Sequence, residues 1–93
     1  MREIEKYSNP IVVRELVNKY LGKDTPLYLS TRKDKKYMVR NPEGKFIHFG
    51  QMLYEDYTKH MSKRRRDLFR KRNHKWANAD KWTPAWLSYY LLW

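Results

Sequence analysis

Asn41-Pro42-Glu43-Gly44 divides two short runs of strand-forming residues, and it limits the fold more than any other four residues in the chain. Proline at the second position of a type I turn presets φ, and the glycine supplies the left-handed residue that follows such a turn. The flanking runs, Lys36-Tyr37-Met38-Val39-Arg40 and Lys45-Phe46-Ile47-His48-Phe49, therefore pair as an antiparallel hairpin closed by Gly50. In the second run Phe46 and His48 share one face, while Lys45, Ile47 and Phe49 share the other. Leu27-Tyr28-Leu29-Ser30 precedes a polar turn, Thr31 to Lys35, and adds a third strand. The result is a three-stranded meander over about 26–49.

Helix signals lie on both sides. Ser8-Asn9-Pro10 offers a side-chain cap and a proline suited to the first helical position. Val13, Leu16, Val17, Tyr20 and Leu21 follow at helical spacing, and Gly22 suits the stop, so a helix over about 10–21 is expected. Ser62 caps a second helix over about 63–73, whose Met61, Arg65, Leu68, Phe69 and Arg72 share one side. Asn73 to Trp82 reads as a polar loop carrying two tryptophans. Thr83-Pro84 then opens a helix from Ala85 to Trp93 that is apolar on nearly every side, so it is buried or docked on something. Gln51 to His60 fits either a helical turn or a loop packed on the sheet. The fold class is α+β, in one domain spanning 1–93.

A chain of 93 residues has room for only a small core, yet four Trp, eight Tyr and three Phe can build one from few side chains. That content argues against a disordered basic tail. Without cysteine the chain has no disulfide, no thiolate metal site and no cysteine nucleophile. Met1 to Lys6 lacks an apolar signal-peptide core, and no apolar run reaches the roughly 20 residues of a membrane span. The protein is expected to be soluble inside a cell or built into a larger particle there.

Charge points to a partner. The formal net charge is +11, and 9 of the 21 Lys and Arg fall between Lys59 and Lys75 beside a single acid, Asp67. So dense a patch of one sign repels itself unless a polyanion or an acidic protein surface neutralises it. The candidate nucleic-acid contacts are Lys63, Arg64, Arg65, Arg66, Arg70, Lys71, Arg72 and Lys75. Arginine forks match phosphate, and Trp76 or Trp82 could stack on unpaired bases or pack in the core. No base-reading module is visible, so contacts to the phosphate backbone are expected.

The order of several motifs carries a resemblance. Lys36-Tyr37-Met38-Val39, Gly44-Lys45-Phe46-Ile47-His48-Phe49-Gly50, Tyr54-Glu55-Asp56-Tyr57-Thr58-Lys59-His60, Arg64 to Arg72 and Thr83 to Trp93 follow one another. This resembles a family of small, basic, functionally uncharacterised proteins of large nucleocytoplasmic DNA viruses, those of algae and amoebae. The likeness spans about 36–93 and departs from the pattern at Leu53, where Gly is usual, and at Met61-Ser62, where Lys-Asp is usual. It implies a viral origin and a place in the virion, the viral factory or the host cytoplasm, and brings no catalytic residues.

No cofactor, metal or catalytic site is expected. His48, His60 and His74 fit no common zinc spacing, although His60 and His74 could add charge at mildly acidic pH. Glu55 and Asp56 with His48 or His60 would suit a metal nuclease only with a further carboxylate or amide at a fixed distance, which spacing alone does not show. Asp56 more plainly accepts from a backbone N–H or pairs with an arginine. Phosphate loops and serine elbows are missing from the sequence. Two functions remain: a virion-associated protein binding nucleic acid, with DNA favoured, or a minor capsid protein bridging coat subunits. In the second, the arginines meet acidic coat surfaces, and Leu91, Leu92 and Trp93 dock in a groove.

Overall fold

Asn9 starts the first helix. Its Oδ1 accepts from the Ile11 N–H at 3.1 Å, and Pro10 takes the first helical position. Helix α1 covers Pro10–Tyr20, with Val13 and Val17 fully buried. It stops as expected: Leu21 and Gly22 both donate to the Val17 carbonyl, with Gly22 at φ +105°. The computed structural model describes residues 3–93, so Met1 and Arg2, which the one-domain reading includes, lie outside the described residues.

Three antiparallel strands follow in the order β1 (Leu27–Leu29), β2 (Lys35–Arg40), β3 (Phe46–Gln51). Tyr28, Met38 and His48 align across the sheet, as do Leu29, Tyr37 and Phe49. The second set, with Val39, faces the core. The β2–β3 turn has the expected form. Gly44 sits at φ +86°, its N–H donates to the Asn41 carbonyl at 2.9 Å, and Asn41 Oδ1 accepts from both Glu43 and Lys45.

Gly50 does not close β3. The strand runs on through it to Gln51, which pairs with Lys35. Gly50 stands at φ +85°, and a Cβ there would lie 2.8 Å from Leu92 Cδ1 and 3.2 Å from Lys36 Cβ. The strand thus needs a glycine here, both for its backbone conformation and for the close approach of Leu92.

Helices α2 (Tyr57–His60), α3 (Lys63–Arg72) and α4 (Pro84–Leu91) complete the chain. Gln51 to His60 thus divides into the last residue of β3, a turn and a short helix. The segment 73–82 is not all loop, since His74–Asn78 forms a 3-10 turn pinned by Tyr90, whose hydroxyl donates to the Ala77 carbonyl at 3.0 Å. Thr83 caps α4 by accepting from the Trp86 N–H. The several apolar faces of α4 are all used. Leu87 and Leu91 enter the core beside β3, and Trp86 and Tyr90 meet Tyr20 of α1 with ring centroids 6.0 and 5.5 Å away. Of the three residues expected to dock on a partner, Leu91 and Leu92 are buried within this chain, while Trp93 is half-buried.

Candidate nucleic-acid interface

Helix α3 begins where Met61, at φ 55° and ψ 23°, turns the chain out of α2. Ser62 Oγ then accepts from the Arg65 N–H. No residue of α3 is buried, because only Leu68 and Phe69 among its ten are apolar. Lys63, Arg64, Leu68 and Lys71 are exposed, with Asp67 as the acid among them, and Lys75 is exposed just beyond. Among the described residues, Lys63, Arg64, Lys71, Arg72 and Lys75 make no ion pair. These are the cations a polyanion could meet without displacing anything.

Two of the expected contacts turn inward. The Arg66 guanidinium lies 4.5 Å from the Tyr57 ring centre. Arg70 lies 5.4 Å from that of Tyr89 and donates to the Trp93 carbonyl at 2.8 Å. Arginine can do this because its planar, weakly hydrated fork stacks on rings and hydrogen-bonds at once. Between them Phe69 stacks on Trp93 at 4.3 Å and 6°, and it makes a T-shaped contact with Trp76 at 5.7 Å between ring centres. The half-buried Trp93 joins α3 to the end of α4 rather than standing free.

Arg65 and Arg72 flank an open groove of about 920 Å³ between α3, the Lys35/Gln51 end of the sheet and α4. Lys35 and the ion-paired Lys36 also line it, as does the acid Glu55. Phe69, Trp76, Leu92 and Trp93 supply apolar and aromatic surface, and Gln51, Asn73 and Ser88 supply polar groups. Arg65 Nη1 lies 3.7 Å from Glu55 Oε1, with both side chains about half exposed. Such a pair is weak, so Arg65 is readily released to an outside anion.

Asp56 pairs with a lysine, not an arginine. Its carboxylate meets Lys36 Nζ at 3.0 Å with both groups buried, and it also accepts from the Thr58 hydroxyl. Lys36 donates further to the Tyr54 carbonyl, and Thr58 and Tyr37 both meet the Ser8 hydroxyl. Burial lowers the Lys36 pKa while Asp56 opposes the shift. This closed network fastens the 54–58 segment over β2; its groups are already satisfied by one another.

The histidines have separate tasks. His48 Nδ1 lies 2.7 Å from Ser30 Oγ on the sheet, and His74 is exposed. His60 is half-buried, accepts from the Ser62 N–H on Nδ1, and has its pKa lowered by burial and then by Arg65. Both effects disfavour its charged form, against the expectation that it adds charge at mildly acidic pH. Among the described residues no group of three or more His, Asp or Glu is placed to hold a metal ion. No described helix is long and apolar enough to cross a membrane.

A family model described as "Family of unknown function (DUF5754)" matches residues 25–73, more than half of the chain. The chain belongs to this family. No curated protein and no solved structure matches it. The DUF5754 span runs from the approach to β1 to the end of α3, so it holds the sheet, the Lys36–Asp56 pair and the basic helix. It omits α1 and α4. The groove straddles that boundary: Arg65 and Arg72 lie inside it, Trp76 and Ser88 beyond it. Sequence reasoning missed the groove because its walls come from segments far apart in the chain. A lysine alternating with Met38 and Arg40 on β2 gave no sign that it would be buried.

Proposed function

We propose that this is a small virion-associated protein that binds nucleic acid, DNA in the leading case, through phosphate contacts made by α3 and the turn after it. The observation that carries the reading is the run of exposed cations, Lys63, Arg64, Lys71 and Lys75, without ion-pair partners among the described residues. Arg65 and Arg72 extend it toward the groove. Fixed on one helix and its continuation, these six charges give a polyanion a preorganised track. The viral setting is supported by the motif resemblance over 36–93.

The test is a labelled duplex titrated with purified protein at several salt concentrations. About five neutralised phosphates give log K falling with log salt at a slope near −4 to −5. Arg64→Ala with Lys71→Ala should flatten that slope by about 2 and weaken every sequence alike. A slope near zero, or strong preference for one duplex sequence, would rule out backbone contact. Failure to bind duplex together with tight binding to acidic coat protein would favour the bridging capsid role.

A further inference from the structure

We infer that the groove between α3 and α4 is a site for unpaired nucleotides, so that the protein prefers single-stranded to duplex nucleic acid. This rests on the phosphate-binding reading of α3 and adds a second element to it: a place for bases.

Three observations converge. First, the cations beside the groove are spaced for a strand. Arg65 and Arg72 are seven residues apart on one helix, about 10 Å along its axis. That is about the rise of three stacked nucleotides. Lys35 lies on the sheet side of the same opening. Second, the space between them is aromatic. Phe69 is already stacked face to face on Trp93, and the half-buried Trp76 meets Phe69 in a T-shaped contact at 5.7 Å. Bases of any sequence can stack on such rings, whereas a duplex keeps its bases inside. Third, the groove holds polar groups suited to base edges. Asn73 uses Nδ2 on the Phe69 carbonyl, which leaves its Oδ1 as an acceptor, and Ser88 contributes a hydroxyl. An aliphatic anchor from an acidic protein would need neither the rings nor these groups. A volume of about 920 Å³ lies in the range of ligand sites and has room for more than one base.

A fluorescent oligo(dT) and a duplex of equal length separate the two elements. Wild-type protein should bind oligo(dT) at least about tenfold more tightly than duplex and show quenching of tryptophan emission on binding. Trp76→Ala should weaken oligo(dT) binding about tenfold and leave duplex binding unchanged. Ala85→Phe, which narrows the groove while leaving every cation and aromatic residue of its lining in the sequence, should do the same, and thermal melts check that each variant is folded. Phe46→Ala removes an exposed ring on the sheet instead and should change neither affinity. Equal binding of the two nucleic acids, with Trp76→Ala and Ala85→Phe silent, overturns the groove site and leaves phosphate binding by α3 standing. Loss of oligo(dT) binding in Phe46→Ala alone moves the site to the sheet and also overturns it. Binding of neither nucleic acid overturns both readings. Displacement of bound oligo(dT) only by an aromatic acidic peptide held in the groove at far higher affinity would make a protein the occupant and overturn the groove site alone.

Discussion

Gly50 illustrates how one position can carry two independent constraints. Its φ of +85° disfavours any side chain, and Leu92 and Lys36 occupy the space a Cβ would need. Gly22 shares the first constraint without the second, since its nearest atom, Thr25 Oγ1, lies 3.9 Å from the Cβ position. Gly22→Ala should therefore cost about 1–2 kcal/mol, from backbone strain. Gly50→Ala should cost about 2–4 kcal/mol, because overpacking is added to the strain. Equal losses in urea unfolding would mean that Leu92 yields freely. At His60 the consequence is one of pH. The unfolded ring titrates near 6.5, and burial, then Arg65, hold the folded value lower. The fold thus favours the neutral ring. That contribution is complete above about pH 6.5 and is lost as pH falls through 6.5 toward the folded value. Between about pH 7.5 and 5 the wild type should lose more thermal stability than His60→Asn, whose amide oxygen can still accept from Ser62. Parallel losses would show that His60 contributes nothing to acid sensitivity.

Helix α3 has arginines of two kinds on one short element. Arg64 is exposed, and Arg64→Ala should change stability by no more than about 0.5 kcal/mol. Arg70 bonds the Trp93 carbonyl and lies against Tyr89, so Arg70→Ala should cost about 1.5–3 kcal/mol. Chemical denaturation of the two variants checks this, and equal midpoints would return Arg70 to the solvent-facing set. The division was not legible in the sequence, although the helix was. Ser62 marks its start and Phe69 its inner side through local rules of capping and spacing, whereas Leu68, expected on the same side, is exposed. Which arginine finds a ring depends on where Tyr57, Tyr89 and Trp93 arrive, and those come from α2 and α4. The β2–β3 hairpin lies at the other extreme. Asn41, Pro42 and Gly44 specify it within a few residues, so its turn and register follow without tertiary information. Lys36 inverts the usual expectation, because the 54–58 segment folds over its end of the strand and supplies the buried carboxylate.

Across the whole molecule, the last residues of the sequence hold the parts together. Leu92 is buried against Gly50, and its carbonyl accepts from the Tyr57 N–H at 3.0 Å. Trp93 stacks on Phe69 and receives Arg70. One dipeptide thereby connects the sheet, the α2 start and the basic helix, and it forms part of the groove wall. Deleting Leu92 and Trp93 removes a buried aliphatic side chain, an aromatic stack and two hydrogen-bond acceptors. The loss should be about 3 kcal/mol or more, a large share of the roughly 5–14 kcal/mol available to a domain of this size. Since 1 kcal/mol moves the midpoint of such a domain by about 4–8 °C, the truncated chain should melt at least about 12 °C lower. It should also lose its preference for single strands, because α3 would no longer be held against α4. Trp93→Ala, which keeps Leu92 in place, should show a smaller drop in melting temperature with a similar loss of oligo(dT) preference. If the truncated chain instead melts with the full chain, Leu92 and Trp93 contribute nothing to its core, and their apolar surface becomes available to a coat protein.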